Sequence, residues 1–183
     1  MPKFLVLYAS THGQTEKIAS RVGDVLGREG AEVVTEKADG DVETDPAGVD
    51  AVVVGASVHA GHHQRDVVDW AKAHAATLNG MPAAFFSVSL SAAEDTGESR
   101  QDNRKYLDDF AERTGWTPAE TAVIAGALQY REYDFMTRLL MRLLMKHQHH
   151  PTDTSQDHEY TDWDQVEGFA RRCADLPTIA SRP

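Results

Sequence analysis

The chain has 183 residues, 41% of them hydrophobic, a net charge of −11 and a single cysteine, Cys173. That length fits one domain, 1–183, with a substantial core, while the acidic balance argues against nucleic-acid binding, which needs clustered Lys and Arg. One cysteine permits no internal disulfide, no stretch reaches the ~20 apolar residues of a spanning helix, and no secretory signal is legible, so the expected compartment is the cytosol.

Phe4-Leu5-Val6-Leu7-Tyr8 is dense in β-formers and reads as a buried strand, and Thr15 to Arg28 carries apolar residues at helical spacing. The turn between them organises the functional reading. The first N–H groups of a helix lack intrahelical acceptors, and the helix dipole adds roughly half a positive charge there. Ser10, Thr11 and Thr15 supply hydroxyls, and Gly13 lets the backbone approach a ligand. Neither G-x-x-x-x-G-K-[ST] nor G-x-G-x-x-G is present, so the turn fits a terminal monophosphate rather than a triphosphate or a dinucleotide. An ordinary N-cap with a glycine turn would use the same residues; the position directly after the first strand favours the anion site.

Ala31 to Thr35 reads as the second strand, Ala38 to Gly48 as a surface connection, and the apolar run Asp50 to Ser57 as a central strand covered on both faces. Arg65 to Leu78 is helical in spacing, Ala83 to Val88 is the fourth strand, and Ser91 to Gln101 a polar loop. A helix through Tyr106, Leu107, Phe110 and Ala111 ends before Gly115, Ala122 to Leu128 is the fifth strand, and Asp162 to Ala174 the last helix, with Asp162 and Gln165 spaced as a capping box. This alternation specifies an α/β fold, a doubly wound parallel sheet of five strands, with ligands bound beyond the C-terminal strand ends. Three loops converge there: Ser10 to Thr15, Ser57 to His63, and Ser87 to Gly97.

One connection is too long. Residues at about 129–161 form an insertion containing a helical stretch, Asp134 to His147, apolar around most of its circumference except for Arg138, Arg142 and Lys146. At about 20 Å it is too short to span a bilayer. Two kinds of surface would bury it: a membrane or a lipid-soluble substrate on one reading, the sheet edge or a second copy of the chain in a homodimer on the other.

His59, His62 and His63 cluster in the second loop, and His147, His149 and His150 follow the inserted helix. Without Cys or spaced carboxylates they read as solvated loop residues rather than metal ligands, with His59 and His62 the better placed to touch a ring or an anion. Cys173 reads as a buried, inert thiol, and Tyr160 and Trp163 as packing residues.

The turn from Ser10 to Thr15 in such a fold resembles that of the flavodoxin family. Gly55 to His62, Met81 to Leu90, Ala122 to Tyr130 and Tyr160-Thr161-Asp162-Trp163 are similar to segments of the flavodoxin-type, quinone-dependent protoporphyrinogen oxidases (dehydrogenases) of bacteria. The resemblance covers nearly the whole chain. It implies strand order 2-1-3-4-5 with a helical insertion after strand 5, FMN as cofactor, a porphyrinogen as substrate, and menaquinone or ubiquinone as acceptor at the inner face of the cell membrane. It also implies the site. Ser10, Thr11, His12, Gly13, Gln14 and Thr15 would hold the phosphate; Ser57, Val58, His59, Ala60 and Gly61, with Ser87, Val88, Ser89 and Leu90, would border the flavin ring; Thr152, Asp153 and Thr154 would close over the cofactor. His12 and Gln14 depart from the Thr and Asn usual in the generic flavodoxin loop. Electron-carrier flavodoxins sandwich the ring between aromatic side chains, whereas the second and third loops here contain no Trp, Tyr or Phe, leaving room for a flat substrate or a quinone. Backbone N–H groups of those loops would stabilise negative charge on a reduced ring, and Arg131, Arg100, Arg104 or Lys105 would meet the substrate's propionates. A one-electron carrier, an NAD(P)H-dependent quinone reductase and a non-enzymatic binding module that has lost its cofactor are the competing readings.

Overall fold

Every side chain from Phe4 to Ala9 is buried, which a strand achieves only when helices cover both faces of its sheet. The computed structural model describes residues 1–40, 44–128 and 158–180, and in it this strand, β1 (Lys3–Ala9), pairs in parallel with β2 (Glu32–Lys37) on one side and β3 (Ala51–His59) on the other. β5 (Ala83–Ser89) and β6 (Glu120–Ala125) extend the sheet in the order β2-β1-β3-β5-β6. The two-residue β4 (His62–His63) folds back antiparallel on β3. Counting only the parallel strands, this is the expected 2-1-3-4-5 order.

Period-two alternation divides the interior into two cores. Phe4, Val6, Val53, Phe86 and Ile124 face α1 (Gln14–Arg28) and α5 (Trp163–Ala180), against Ile18, Val22 and Phe169. Leu5, Leu7, Val52, Val54 and Phe85 face α2 (Arg65–Ala73) and α4 (Gly97–Thr114), against Val67, Trp70 and Phe110. Cys173 is fully buried in the first core, and burial pushes its thiol pKa far up, which suits an inert packing residue.

Several boundaries differ from the sequence reading, each for a local reason. The helix expected over Arg65 to Leu78 breaks at His74: its ring Nδ1–H donates to the Trp70 carbonyl at 2.9 Å, ending α2, and α3 (Ala75–Asn79) starts afresh. The loop expected over Ser91 to Gln101 holds the first turn of α4. Thr96 Oγ1 accepts from the Ser99 N–H and Ser99 Oγ from the Thr96 N–H, a capping box with Ser where Glu is usual. The fifth strand does not run to Leu128 but breaks at Gly126, after which β7 (Ala127–Leu128) pairs antiparallel with β8 (His158–Glu159). At α5, Asp162 Oδ1 caps the N–H groups of Asp164 and Gln165, and Gln165 Nε2 donates to the Val123 carbonyl. The helix also continues past Ala174 to Ala180. The inserted helix expected over 134–147 and the histidines His147, His149 and His150 lie outside the described residues.

Gly55 sits under the Phe86 ring of the neighbouring strand; a Cβ there would lie 2.0 Å from Phe86 Cζ. Gly55→Ala is therefore expected to destabilise the fold by about 2 kcal/mol through overpacking, a fall in Tm of roughly 4–8 °C, partly recovered by adding Phe86→Leu. Thermal unfolding checks this, and an unchanged Tm in Gly55→Ala would contradict the packing.

Candidate functional site

β1 leads to β2 through one face of the sheet and β3 leads to β5 through the other, so the strand order reverses between β1 and β3, where loops splay apart and leave a crevice. A cavity of about 300 Å³ lies there. The first loop gives it Ser10, His12, Gln14 and Thr15; the second gives Ser57, Val58, His59 and Ala60; the third gives Val88, Ser89 and Leu90; Gly126 and Ala127 close the far side.

At the first loop, Gly13 takes a left-handed conformation (φ 84°) and is the N-cap of α1 without a side-chain cap. Its N–H donates to Ser10 Oγ at 2.9 Å, which folds the loop back on itself. The N–H groups of the first helical turn are thereby presented at the cavity with no intrahelical acceptor. Thr15 and Gln14 are almost wholly buried. Thr11 and Gly13 do not line the cavity: Thr11 Oγ1 receives a 3.4 Å hydrogen bond from Gln64 Nε2, and Gly13 faces the outer side of the turn.

The second loop is a β-hairpin, not an open loop. β3 runs on to His59, Ala60 (φ 49°) and Gly61 (φ 83°) make the turn, and β4 returns. Both turn residues have the positive φ of a type I′ turn. His59 lies edge-on to His12 with ring centroids 5.6 Å apart and Nε2 3.2 Å from Ser57 Oγ. Burial, and then the charge of His12, lower its pKa, keeping the imidazole neutral. His62 points away, toward Asp109 on α4 at 3.9 Å, so the expected contact with a ring or anion is not made from this position. His63, expected to be solvated, is 5% exposed and pegs the hairpin between the Phe85 and Phe110 rings.

That peg relocates Ser87. Its hydroxyl is buried on the α2/α4 side, 2.8 Å from His63 Nε2, and does not reach the cavity. The Ser89 hydroxyl likewise turns to Asn103 Oδ1 on α4 at 2.7 Å. The Ser57 N–H, one of the backbone donors expected to serve a reduced ring, donates instead to Gln64 Oε1 at 2.8 Å. Thr152, Asp153 and Thr154 lie outside the described residues.

Four residues were not singled out from the sequence as part of the site. Gln64 ties the first loop to the second through Thr11 and Ser57, and only its place just before a helix marks it. Gly126 and Ala127 follow from the break in the fifth strand. Thr161 receives a hydrogen bond from Gln14 Nε2 at 2.8 Å across 147 residues, a pairing that sequence spacing cannot announce.

The residues fit a phosphorylated, hydroxyl-bearing flavin. The donors at the helix end suit the phosphate, Val58, Val88 and Leu90 suit a flat ring, and Gln14 Oε1 is a buried acceptor with no hydrogen-bond partner among the described residues. Such an acceptor costs about 1–3 kcal/mol unless something donates to it. Among the described residues no Phe, Tyr or Trp lines the cavity.

A family model described as a flavodoxin domain matches residues 5–155. The protoporphyrinogen IX dehydrogenase [quinone] of Escherichia coli K12 is 38% identical over 180 residues, covering 97% of this chain and 99% of the relative. The protein of the same name from Leishmania major is 36% identical over 189 residues, covering 100% of this chain and 79% of the relative. Among solved structures, flavodoxin 2 of Bacillus cereus aligns with a TM-score of 0.60 at 19% identity, covering 94% of this chain and 98% of that one. A flavodoxin of Streptococcus pneumoniae TIGR4 aligns at 0.57 and 16%, covering 97% and 98%; both likenesses concern the fold.

The His63 peg makes stability depend on pH. Burial, reinforced by Arg113 and His62 and opposed by Asp109, lowers its pKa from 6.5 to about 4. Between those values the unfolded chain binds the extra proton, so stability is full above about pH 6.5 and declines as pH falls toward 4, by up to about 3 kcal/mol. Urea unfolding should show this decline in the wild-type chain and lose it in His63→Gln; equal pH slopes in the two would contradict the assignment.

Proposed function

The chain belongs to the flavodoxin family and, within it, to the group of quinone-linked protoporphyrinogen IX dehydrogenases, and from that premise we propose that it binds FMN and oxidises protoporphyrinogen IX, with a membrane quinone as acceptor. The observation that carries this reading is the pairing of a donor-rich α1 N-terminus with a cavity whose described walls carry no aromatic clamp. A carrier that exchanges single electrons through a shielded ring needs such a clamp; an enzyme that must bring a flat tetrapyrrole against the ring needs it absent.

In the proposed complex the first-turn N–H groups of α1, with Ser10 and Thr15, would hold the phosphate, and Gln14 Oε1 would accept from a ribityl hydroxyl. Val58, Ala60 and Leu90 would contact the ring, and the His12 ring and the neutral His59 imidazole would stand beside it. When bound, the isoalloxazine would supply the redox chemistry between porphyrinogen and quinone. The protein's share is positioning and the exclusion of water, and no side chain of the cavity is assigned as an acid or base.

The porphyrinogen's two propionates call for cations. α4 presents Arg100 and Arg104 to a groove of about 750 Å³ that also includes Asn103, Leu107 and Tyr160. It adjoins the cavity through the Ser89–Asn103 hydrogen bond. Arg100 is paired with Asp95, while Arg104 makes no ion pair among the described residues, which makes Arg104 the better candidate. Arg131 lies outside the described residues, and Lys105 does not line the groove. Among the described residues no helix is long and apolar enough to cross a membrane, and the proposed contact with the bilayer is the segment 134–147, on the strength of its Leu, Met, Arg and Lys pattern.

Anaerobic stopped-flow spectroscopy tests the scheme. Protoporphyrinogen IX should bleach the flavin band of the FMN-loaded protein, and menaquinone in anionic vesicles should restore it. In Leu139→Glu/Leu143→Glu the bleaching should persist while recovery from vesicles slows about tenfold or more. Bleaching by NADPH and not by the porphyrinogen would overturn the assignment in favour of a nicotinamide-dependent quinone reductase.

A further inference from the structure

Gln14 stands at the start of α1, and Thr161 on the segment leading into α5. Gln14 is 6% exposed and lines the cavity. Its Nε2 donates to Thr161 Oγ1 at 2.8 Å, and Thr161 Oγ1 donates to the Ala125 carbonyl at 2.7 Å. A hydroxyl has one proton, and a carbonyl oxygen can only accept. The Thr161 proton is therefore committed to Ala125, and toward Gln14 the hydroxyl can act only as acceptor. This fixes the amide: its NH₂ faces Thr161, and Oε1 is left as an acceptor with no partner among the described residues. Without such a neighbour an amide can present either end to a ligand.

The result is an acceptor set among donors. The helix N-terminus and the hydroxyls of Ser10 and Thr15 favour an anion, whereas a fixed amide oxygen repels one and takes an O–H instead. We propose that Thr161 is a positioning residue for the cofactor: by locking the Gln14 amide it makes the site select a polyol chain carrying a hydroxyl next to the phosphate. This rests on the reading of the cavity as an FMN site. It also links the cofactor to the chain segment 158–161, because Tyr160 N–H donates to the carbonyl of Gly126, which lines the cavity, and Thr161 to that of Ala125 just before it. A ligand that draws on Gln14 strengthens the docking of that segment, and by linkage the docked segment strengthens the ligand.

The test compares Thr161→Val, Thr161→Ala and Thr161→Ser with the wild-type chain, using quenching of flavin fluorescence to measure Kd for FMN, riboflavin and lumiflavin, which has no ribityl chain. Loss of one oriented hydrogen bond should weaken FMN and riboflavin about tenfold in the Val and Ala variants, leave lumiflavin within about twofold, and spare the Ser variant. Hydrogen exchange at Tyr160 and Thr161 should slow on FMN loading in the wild-type chain and not in Thr161→Val. Wild-type affinity for FMN in the Val and Ala variants, or equal weakening of FMN and lumiflavin, would overturn the proposal while leaving the FMN site intact. Failure of the wild-type chain to bind FMN at all would instead remove the reading beneath it.

Discussion

The N-terminus of α1 is the constraint on which the site depends. β1 drives the chain to the edge of the sheet interior, and the turn that follows must start a helix with no side chain capping it. Ser10 takes the Gly13 N–H for itself, and Gly13 reaches the left-handed conformation that this fold of the loop requires. What remains is a set of helical N–H groups with no acceptor of their own, at the point where strand order reverses. The local dipole and the surrounding hydroxyls make that end a place for an anion in a chain of net charge −11.

Around it, the second and third loops are held from behind, not from the cavity side. His63 plugs into the α2/α4 core, Ser87 bonds to it there, and Ser89 bonds to Asn103. The Ser87 and Ser89 hydroxyls thus brace the loops rather than serve a ligand. Val58, Ala60, Val88 and Leu90 are left at the front beside His59, which gives a flat ligand contact without a clamp. Gln64 completes the bracing by joining the first two loops.

The parts of this arrangement governed by local pattern were legible in the sequence. The apolar runs of β1, β3 and β5 announce strands buried on both faces, their alternation with helices specifies the sheet, and the Ser10 to Thr15 turn marks itself by hydroxyls, glycine and position. What depended on distant partners was not legible. Ser87 lies one residue from Val88, yet strand alternation sends them to opposite cores. His63 looks solvated until Phe85 and Phe110 are seen around it, and Ala60-Gly61 is a hairpin turn without the Asn-Gly or Asp-Gly that usually signals one. The α4 capping box was missed because Ser99 occupies the position where Glu is the usual sign. Thr161 could be noticed only as part of a resembling segment, since its partner lies at the other end of the chain.

The central claim is that backbone N–H groups at the start of α1 hold a flavin phosphate, and ³¹P NMR of the FMN-loaded protein reads it directly. Donors aimed at a phosphate favour its dianion, whereas free FMN takes up its second proton near pH 6. The account predicts a phosphorus resonance displaced from that of free FMN and constant from about pH 5.5 to 8. A bound resonance that titrates like the free cofactor would place the phosphate in solvent and contradict it.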